Sequence, residues 1–174
     1  MINILANDGI SQAGIDALTE KGFKVITEKV AQEDLINALN TKKYEVLLVR
    51  SATTVRKDLI DSCPHLKLVG RGGVGMDNID VEYAKEKGIN VINTPAASSS
   101  SVAELVFAHL FGMVRFLFDS NRQMPMVGDA DFKSLKKSYA NGRELSGKTL
   151  GIIGFGRIGQ EVAKRAIGLG MKVI

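Results

Sequence analysis

TLGIIGFGRIGQEVAKRAIGLGMKVI, Thr149 to Ile174, is the stretch whose reading decides the fold. Leu150 to Ile153 has buried-strand character and runs straight into Gly154-Phe155-Gly156-Arg157-Ile158-Gly159. Beyond it Ile158, Val162, Ala163, Ala166 and Ile167 fall on one face at helical spacing. Gly168 and Gly170 end that helix, and Met171 to Ile174 begins a second strand. Strand, G-x-G-x-x-G, helix and strand in that order give the glycine pattern its meaning. Gly154 permits the tight turn, Gly156 has no side chain to obstruct a pyrophosphate, and Gly159 lets the helix lie close on the strand. Unpaired N–H groups and the positive end of the helix dipole then face the phosphates. The bland alternative is a glycine-rich turn that binds no nucleotide. The acid that reads a ribose hydroxyl falls about 20 residues further on, past Ile174, so NAD and NADP are not separated by that residue.

The first half of the chain repeats the same alternation. Ile2–Ala6, Phe23–Thr27, Val46–Val49, Leu66–Val69 and Ile89–Ile92 read as strands. Between them lie helices: one capped by Ser11 and stopped by Gly22, one with Leu35, Ile36 and Leu39, one with Leu59 and Ile60, and Val81–Lys87. Continuously apolar strands alternating with helices predict a parallel sheet covered on both faces, a flavodoxin-like α/β domain.

In such sheets ligands bind beyond the carboxyl ends of the strands. Gly72-Gly73-Val74-Gly75 offers backbone N–H groups on a permissive chain, an anion nest or simply a tight turn. Arg50, followed by Ser51, and Arg71 end neighbouring strands and can point across the same edge. Their planar forks suit carboxylate or phosphate.

Composition excludes several other classes. The 174 residues are 45% hydrophobic and 24% charged, with a net charge of +4. No dense basic block is present, and Lys136-Lys137 reads as a solvated face, so a nucleic-acid partner is not expected. Cys63 is the only cysteine; it permits no internal disulfide, fits a reducing cytoplasm, and has no local support as a nucleophile. No basic region precedes an apolar stretch at the N-terminus, so no signal peptide is expected. The longest apolar run, Leu105–Val114, is too short to span a membrane, and no metal site is expected.

Pro95 begins a break in the repeat. Ser101-Val102-Ala103-Glu104 has a capping-box pattern, and the helix it would open, through about Asp119, is apolar on nearly all sides. Such a helix is expected to be buried, with His109 packed inside it, while His65 is expected to be exposed. Ser120–Lys148 is polar and interrupted, and reads as a long connector or arm.

LLVRSATTV (Leu47–Val55), LVGRGGVGMDNID (Leu68–Asp80), VINTP with SSVAEL (Val91–Leu105), and GRELSGKTLGIIGFGRIG (Gly142–Gly159) together carry a resemblance. The chain resembles the first part of the D-isomer-specific 2-hydroxyacid dehydrogenases, most of all the members that oxidise 3-phosphoglycerate to 3-phosphohydroxypyruvate, opening serine synthesis. It departs from them at Asp131-Phe132, where a tryptophan is common. The resemblance implies a substrate domain over residues 1–97 and the start of a Rossmann NAD-binding domain over 98–174. It implies that Arg50, Ser51 and Arg71, with Gly72, Gly73, Val74 and Gly75, bind a phosphorylated 2-hydroxy or 2-keto acid. On the cofactor side, Val74 and Val102 would flank the nicotinamide, and Gly154, Phe155, Gly156, Arg157, Ile158 and Gly159 would hold the pyrophosphate. The catalytic arginine, glutamate and histidine of the family would lie beyond Ile174, leaving this chain inactive alone. A homodimer or homotetramer is expected. Another family member acting on glycerate or glyoxylate, or a non-enzymatic NAD(H)-responsive binding module, are the alternative readings.

Overall fold

Five short apolar runs form the five parallel strands of one sheet: β1 (Asn3–Ala6), β2 (Lys24–Ile26), β3 (Val46–Val49), β4 (Leu68–Arg71) and β5 (Asn90–Asn93). The computed structural model describes residues 1–174, which divide into two units, Met1–Ala97 and Ser98–Ile174. The strand order in the first unit is β2-β1-β3-β4-β5, that of flavodoxin-like sheets. The connecting helices are α1 (Gln12–Glu20), α2 (Leu35–Thr41), α3 (Lys57–Ser62) and α4 (Val81–Glu86). Ser11 caps α1 by accepting the Gly14 N–H at 3.3 Å, a contact worth about 1 kcal/mol.

Leu5, Leu47, Val49 and Val69 form one sheet face and pack on Leu35 and Leu39 of α2, Leu59 and Ile60 of α3, and Ala84 of α4. Each leucine buried there contributes about 1.5–3 kcal/mol. The opposite face is not fully covered, contrary to expectation. Three of the four helices contribute to the first face, so Leu48 is only partly buried and Ile92 is 54% exposed. A second difference concerns β4, which includes Gly70 and Arg71 instead of closing at Val69. Gly70 lies between Leu48 and Ile92 in the register, and a Cβ on it would stand 2.8 Å from Leu48 Cδ2. This glycine is a strand residue selected for room.

The second unit comprises α5 (Ser99–Val114), α6 (Leu117–Tyr139), β6 (Thr149–Leu150), α7 (Arg157–Gly168) and β7 (Lys172–Val173). β6 and β7 are parallel partners, and Ala103 and Phe107 of α5 share a core with Val162 and Ala166 of α7. β6 is shorter than the expected strand over Leu150–Ile153, although the Ile152 N–H still bonds the Ile174 carbonyl at 2.9 Å and Ile153 is fully exposed. Ile167 is 64% exposed and so lies off the buried face of α7.

Three readings of the middle segment are corrected. Ser101 does not cap α5: the helix starts at Ser99, and Glu104 instead receives Ser100 Oγ at 3.2 Å and Arg165 at 3.1 Å. Nor is α5 buried all round: Leu105 and Met113 are exposed, and His109 is exposed beside the Phe118 ring at 6.3 Å. His65 is exposed as expected. The supposed connector from Ser120 is largely helix α6, with Pro125 inside it and a non-helical Asp131 at φ −128°, ψ 27°. Tyr139 Oη donates to Asp119 at 2.8 Å, whereas a straight helix would separate these residues by about 30 Å. Hence α6 folds back, with its break at Asp131. No single helix is long and apolar enough to cross a membrane.

Gly159 provides a stability prediction. A Cβ on it would lie 2.3 Å from the Gly154 carbonyl oxygen, whereas one on Gly156 would meet nothing within 4 Å. Gly159→Ala should therefore destabilise the chain by about 1–3 kcal/mol, and Gly156→Ala by much less. Urea titration of both variants measures the contrast; equal midpoints would disprove the close helix–turn approach.

Candidate functional site

The register places Val49 of β3 opposite Arg71 of β4, so Arg50 leaves the sheet beside Arg71. Both line a cleft of about 710 Å3 at the carboxyl ends of the strands, with Asp8, Gly72 and Thr94. Ile10, Leu48 and Ile92 form its apolar wall. A neighbouring hollow on the other side of Arg50 is lined by Lys29 and Ser51.

The turn Arg50-Ser51-Ala52-Thr53 is held from two sides. Asp8, after β1, accepts the Arg50 N–H at 2.7 Å, the Thr53 N–H at 3.1 Å and the Thr53 hydroxyl at 2.8 Å. Asn78 Nδ2 donates to the Arg50 carbonyl at 2.8 Å and the Thr53 carbonyl at 2.6 Å. Asn7 adds a bond from Nδ2 to Thr53 Oγ1 at 2.9 Å. Burial pulls the Asp8 pKa upward, but the Arg50 and Thr53 donors and Lys29 outweigh it, leaving the carboxyl below its ordinary 3.8. Two carbonyls facing one amide group dictate that Asn78 presents its nitrogen. Its Oδ1 is buried without a partner, at a cost of about 1–3 kcal/mol. Ser51 and Ala52, between the clamped residues, keep N–H groups with no protein acceptor and are exposed.

Arg71 is held differently from Arg50. Its side chain is only 13% exposed, reaching toward Asp77 at 3.9 Å and the Arg50 carbonyl at 3.5 Å. The glycine loop lies over it: Cβ atoms on Gly73 and Gly75 would stand 3.4 and 3.3 Å from Arg71 Nη1. Arg71, which ends a strand and is roofed by its own loop, is thus less free than the exposed Arg50 to point across the edge. The permissive-backbone reading of that loop also changes. None of Gly72, Gly73 or Gly75 has a positive φ; Gly73 and Gly75 lie against the guanidinium, while Gly72 faces the Arg50 stem. Gly72 and Gly73 spend their N–H groups on Val49 and Arg71 carbonyls, which leaves Val74 and Gly75 as the unpaired donors.

In the second unit Gly154 makes the turn at φ +96°, and Gly156 precedes α7 without a side-chain cap. Phe155, Arg157 and Ile158 are exposed around this helix N-terminus, and the space above Gly156 is open. The donors and the open approach fit a pyrophosphate. Val74 belongs to the first unit and Val102 to the second, and both side chains are partly exposed.

Sequence reading missed Asp8, Asn78 and Lys29. Asp8-Gly9 after the first strand was a usable signal, since that position borders the point where strand order reverses. Asn78 and Lys29 gave none, because only the folded loops bring them to Arg50. Cys63 is buried, which pushes its thiol up to about 11 and leaves it inert.

Known proteins resemble this chain along its whole length. It is 44% identical to a hydroxypyruvate reductase of Thermotoga maritima over 97% of the chain and 53% of that protein. It is also 44% identical to a D-3-phosphoglycerate dehydrogenase of Methanocaldococcus jannaschii, over 100% of the chain and 32% of that protein. The chain thus spans about half or less of the length of these relatives. Among solved structures, the TT0316 protein from Thermus thermophilus superposes with a TM-score of 0.84 at 28% identity, covering 99% of this chain and 55% of that one. A Staphylococcus aureus NAD-dependent formate dehydrogenase in complex with NAD gives 0.73 at 26% identity, over 99% and 54%. Residues 4–165 match the family described as D-isomer specific 2-hydroxyacid dehydrogenase, catalytic domain, and the chain belongs to that family.

Proposed function

We propose that this chain carries the substrate-binding unit and the opening of the nucleotide-binding unit of an NAD-dependent dehydrogenase. The reaction is oxidation of 3-phospho-D-glycerate to 3-phosphohydroxypyruvate. The observation that carries the reading is the gathering of two anion-binding groups at one sheet edge. The Val74 and Gly75 N–H groups over Arg71 suit a carboxylate. Arg50, with Lys29 and the unpaired N–H groups of Ser51 and Ala52, suits a phosphate. A small keto acid lacking a phosphate needs only the first of these.

In this reading Arg71 keeps the glycine loop in place while Arg50 engages the substrate's far end. Gly156 leaves the approach to α7 open, and the Arg157 and Ile158 N–H groups meet a pyrophosphate. As the family resemblance implies, bound NAD would supply the hydride acceptor. That resemblance assigns proton transfer to residues beyond Ile174. The exposed Leu105, Met113 and Phe118 suit burial in a homodimer or homotetramer, and the lone reduced cysteine suits the cytoplasm. The Thermotoga maritima relative, named a hydroxypyruvate reductase, favours the unphosphorylated acid as the second reading.

Three outcomes test the proposal. The purified 174-residue chain should produce no NADH from 3-phosphoglycerate; turnover free of contaminating enzyme would contradict the assignment of proton transfer to residues outside it. Gly156→Val in the full-length enzyme should keep the fold, since its φ of −76° suits any residue and its Cβ meets nothing. NADH affinity, read by fluorescence titration, should nevertheless fall at least tenfold (~1.4 kcal/mol). Arg50→Ala should lower kcat/KM for phosphohydroxypyruvate about ten- to a hundredfold, the loss of a charged hydrogen bond, and spare hydroxypyruvate. Arg71→Ala, by releasing the glycine loop, should weaken both substrates. Equal losses from Arg50→Ala on the two acids would favour the unphosphorylated substrate.

A further inference from the structure

We propose that Asp8 and Asn78 are positioning residues that fix the Arg50–Thr53 turn so that its apex meets the anionic end of the substrate. The inference deepens the proposed function and rests on it. The geometry is a two-sided clamp on the same two residues. Asp8 takes the N–H groups of Arg50 and Thr53, and Asn78 takes their carbonyls. Ser51 and Ala52 in between are left with unpaired, exposed N–H groups beside Lys29. Here every backbone group of the outer pair that the clamp can reach is engaged, while the inner donors are kept outward.

Asp8 is a carboxylate next to a hollow suited to an anion, which by charge alone would disfavour binding. Its three donors account for that charge: two N–H groups on Oδ2 and a hydroxyl on Oδ1. The role is therefore geometric, and an uncharged residue of the same shape can fill it. In Asp8→Asn the amide oxygen can keep both N–H bonds while the NH2 turns to the Thr53 hydroxyl, which can also accept. Asn78 has no such substitute. An aspartate there would set a carboxylate against two carbonyls.

The full-length enzyme carrying this sequence is assayed with phosphohydroxypyruvate and NADH, with melting curves for every variant. Asp8→Ala should raise the KM for the keto acid about tenfold or more, leaving the KM for NADH and most of kcat intact. Asp8→Asn should stay within about threefold of the parent, in keeping with an effect below one charged hydrogen bond. Asn78→Ala tests the same turn from the other side, so the proposal stays decidable if Asp8→Ala does not fold. It should raise the same KM, and Asn78→Asp at least as much. Losses of equal size in Asp8→Asn and Asp8→Ala would overturn the geometric role in favour of charge. Parental KM in both alanine variants, or parallel loss of NADH affinity, would overturn positioning altogether. A parent enzyme with no turnover on any 2-keto acid would instead sink the proposed function, a result these variants cannot mimic.

Discussion

The pairing of β3 with β4, Val49 opposite Arg71, is the constraint on which the candidate substrate edge depends. It is fixed by burial on one face, where Leu47 opposes Val69 in the core. A one-residue slip would send those side chains to the other face. The same register sets Leu48 against Gly70 on the opposite face, where a Cβ would require the Leu48 side chain to shift. Core packing therefore determines where the two arginines leave the sheet. The polar edge inherits its geometry from apolar contacts below it.

Around the candidate sites glycine acts through volume as well as through conformational freedom. Gly70 makes room for Leu48, Gly73 and Gly75 for the Arg71 guanidinium, and Gly159 for the Gly154 carbonyl. Gly154 is the member of the nucleotide motif that needs a left-handed backbone. Gly156 has neither a positive φ nor a neighbour near its missing Cβ. A residue with no structural reason to be glycine, at an uncapped helix start, is most simply explained by what must approach it from outside.

The alternation of strands and helices was legible in Met1–Ala97 because each strand there is an apolar run ended by a turn residue. The glycine motif was legible for the same reason. The middle segment was not, because its helices depend on contacts that sequence spacing does not report. Ser101 had the right partner in Glu104 for a cap, but Arg165, 61 residues away, holds that carboxylate. The fold-back of α6 rests on Tyr139 reaching Asp119 across 20 residues. At the carboxyl edge of the sheet the two arginines were visible, yet their different surroundings were not. Arg50 and Arg71 look alike in sequence; only the loop that covers Arg71 separates them.

Backbone hydrogen bonding then defines what the candidate sites could offer an anion. A buried N–H without an acceptor is costly, so loops under the surface engage nearly all of theirs. Around this sheet edge the Asn7, Gly72, Gly73 and Thr94 N–H groups go to backbone carbonyls, and those of Arg50 and Thr53 to Asp8. The N–H groups left without a protein acceptor there include those of Ser51, Ala52, Val74 and Gly75. The first turn of α7 adds more of the same kind, since a helix start always leaves N–H groups unpaired. In water these donors are solvated and impose little penalty. Facing a carboxylate or phosphate, and reinforced by Arg50 and Lys29, they become a fixed array of partial positive charge that needs no rearrangement to bind.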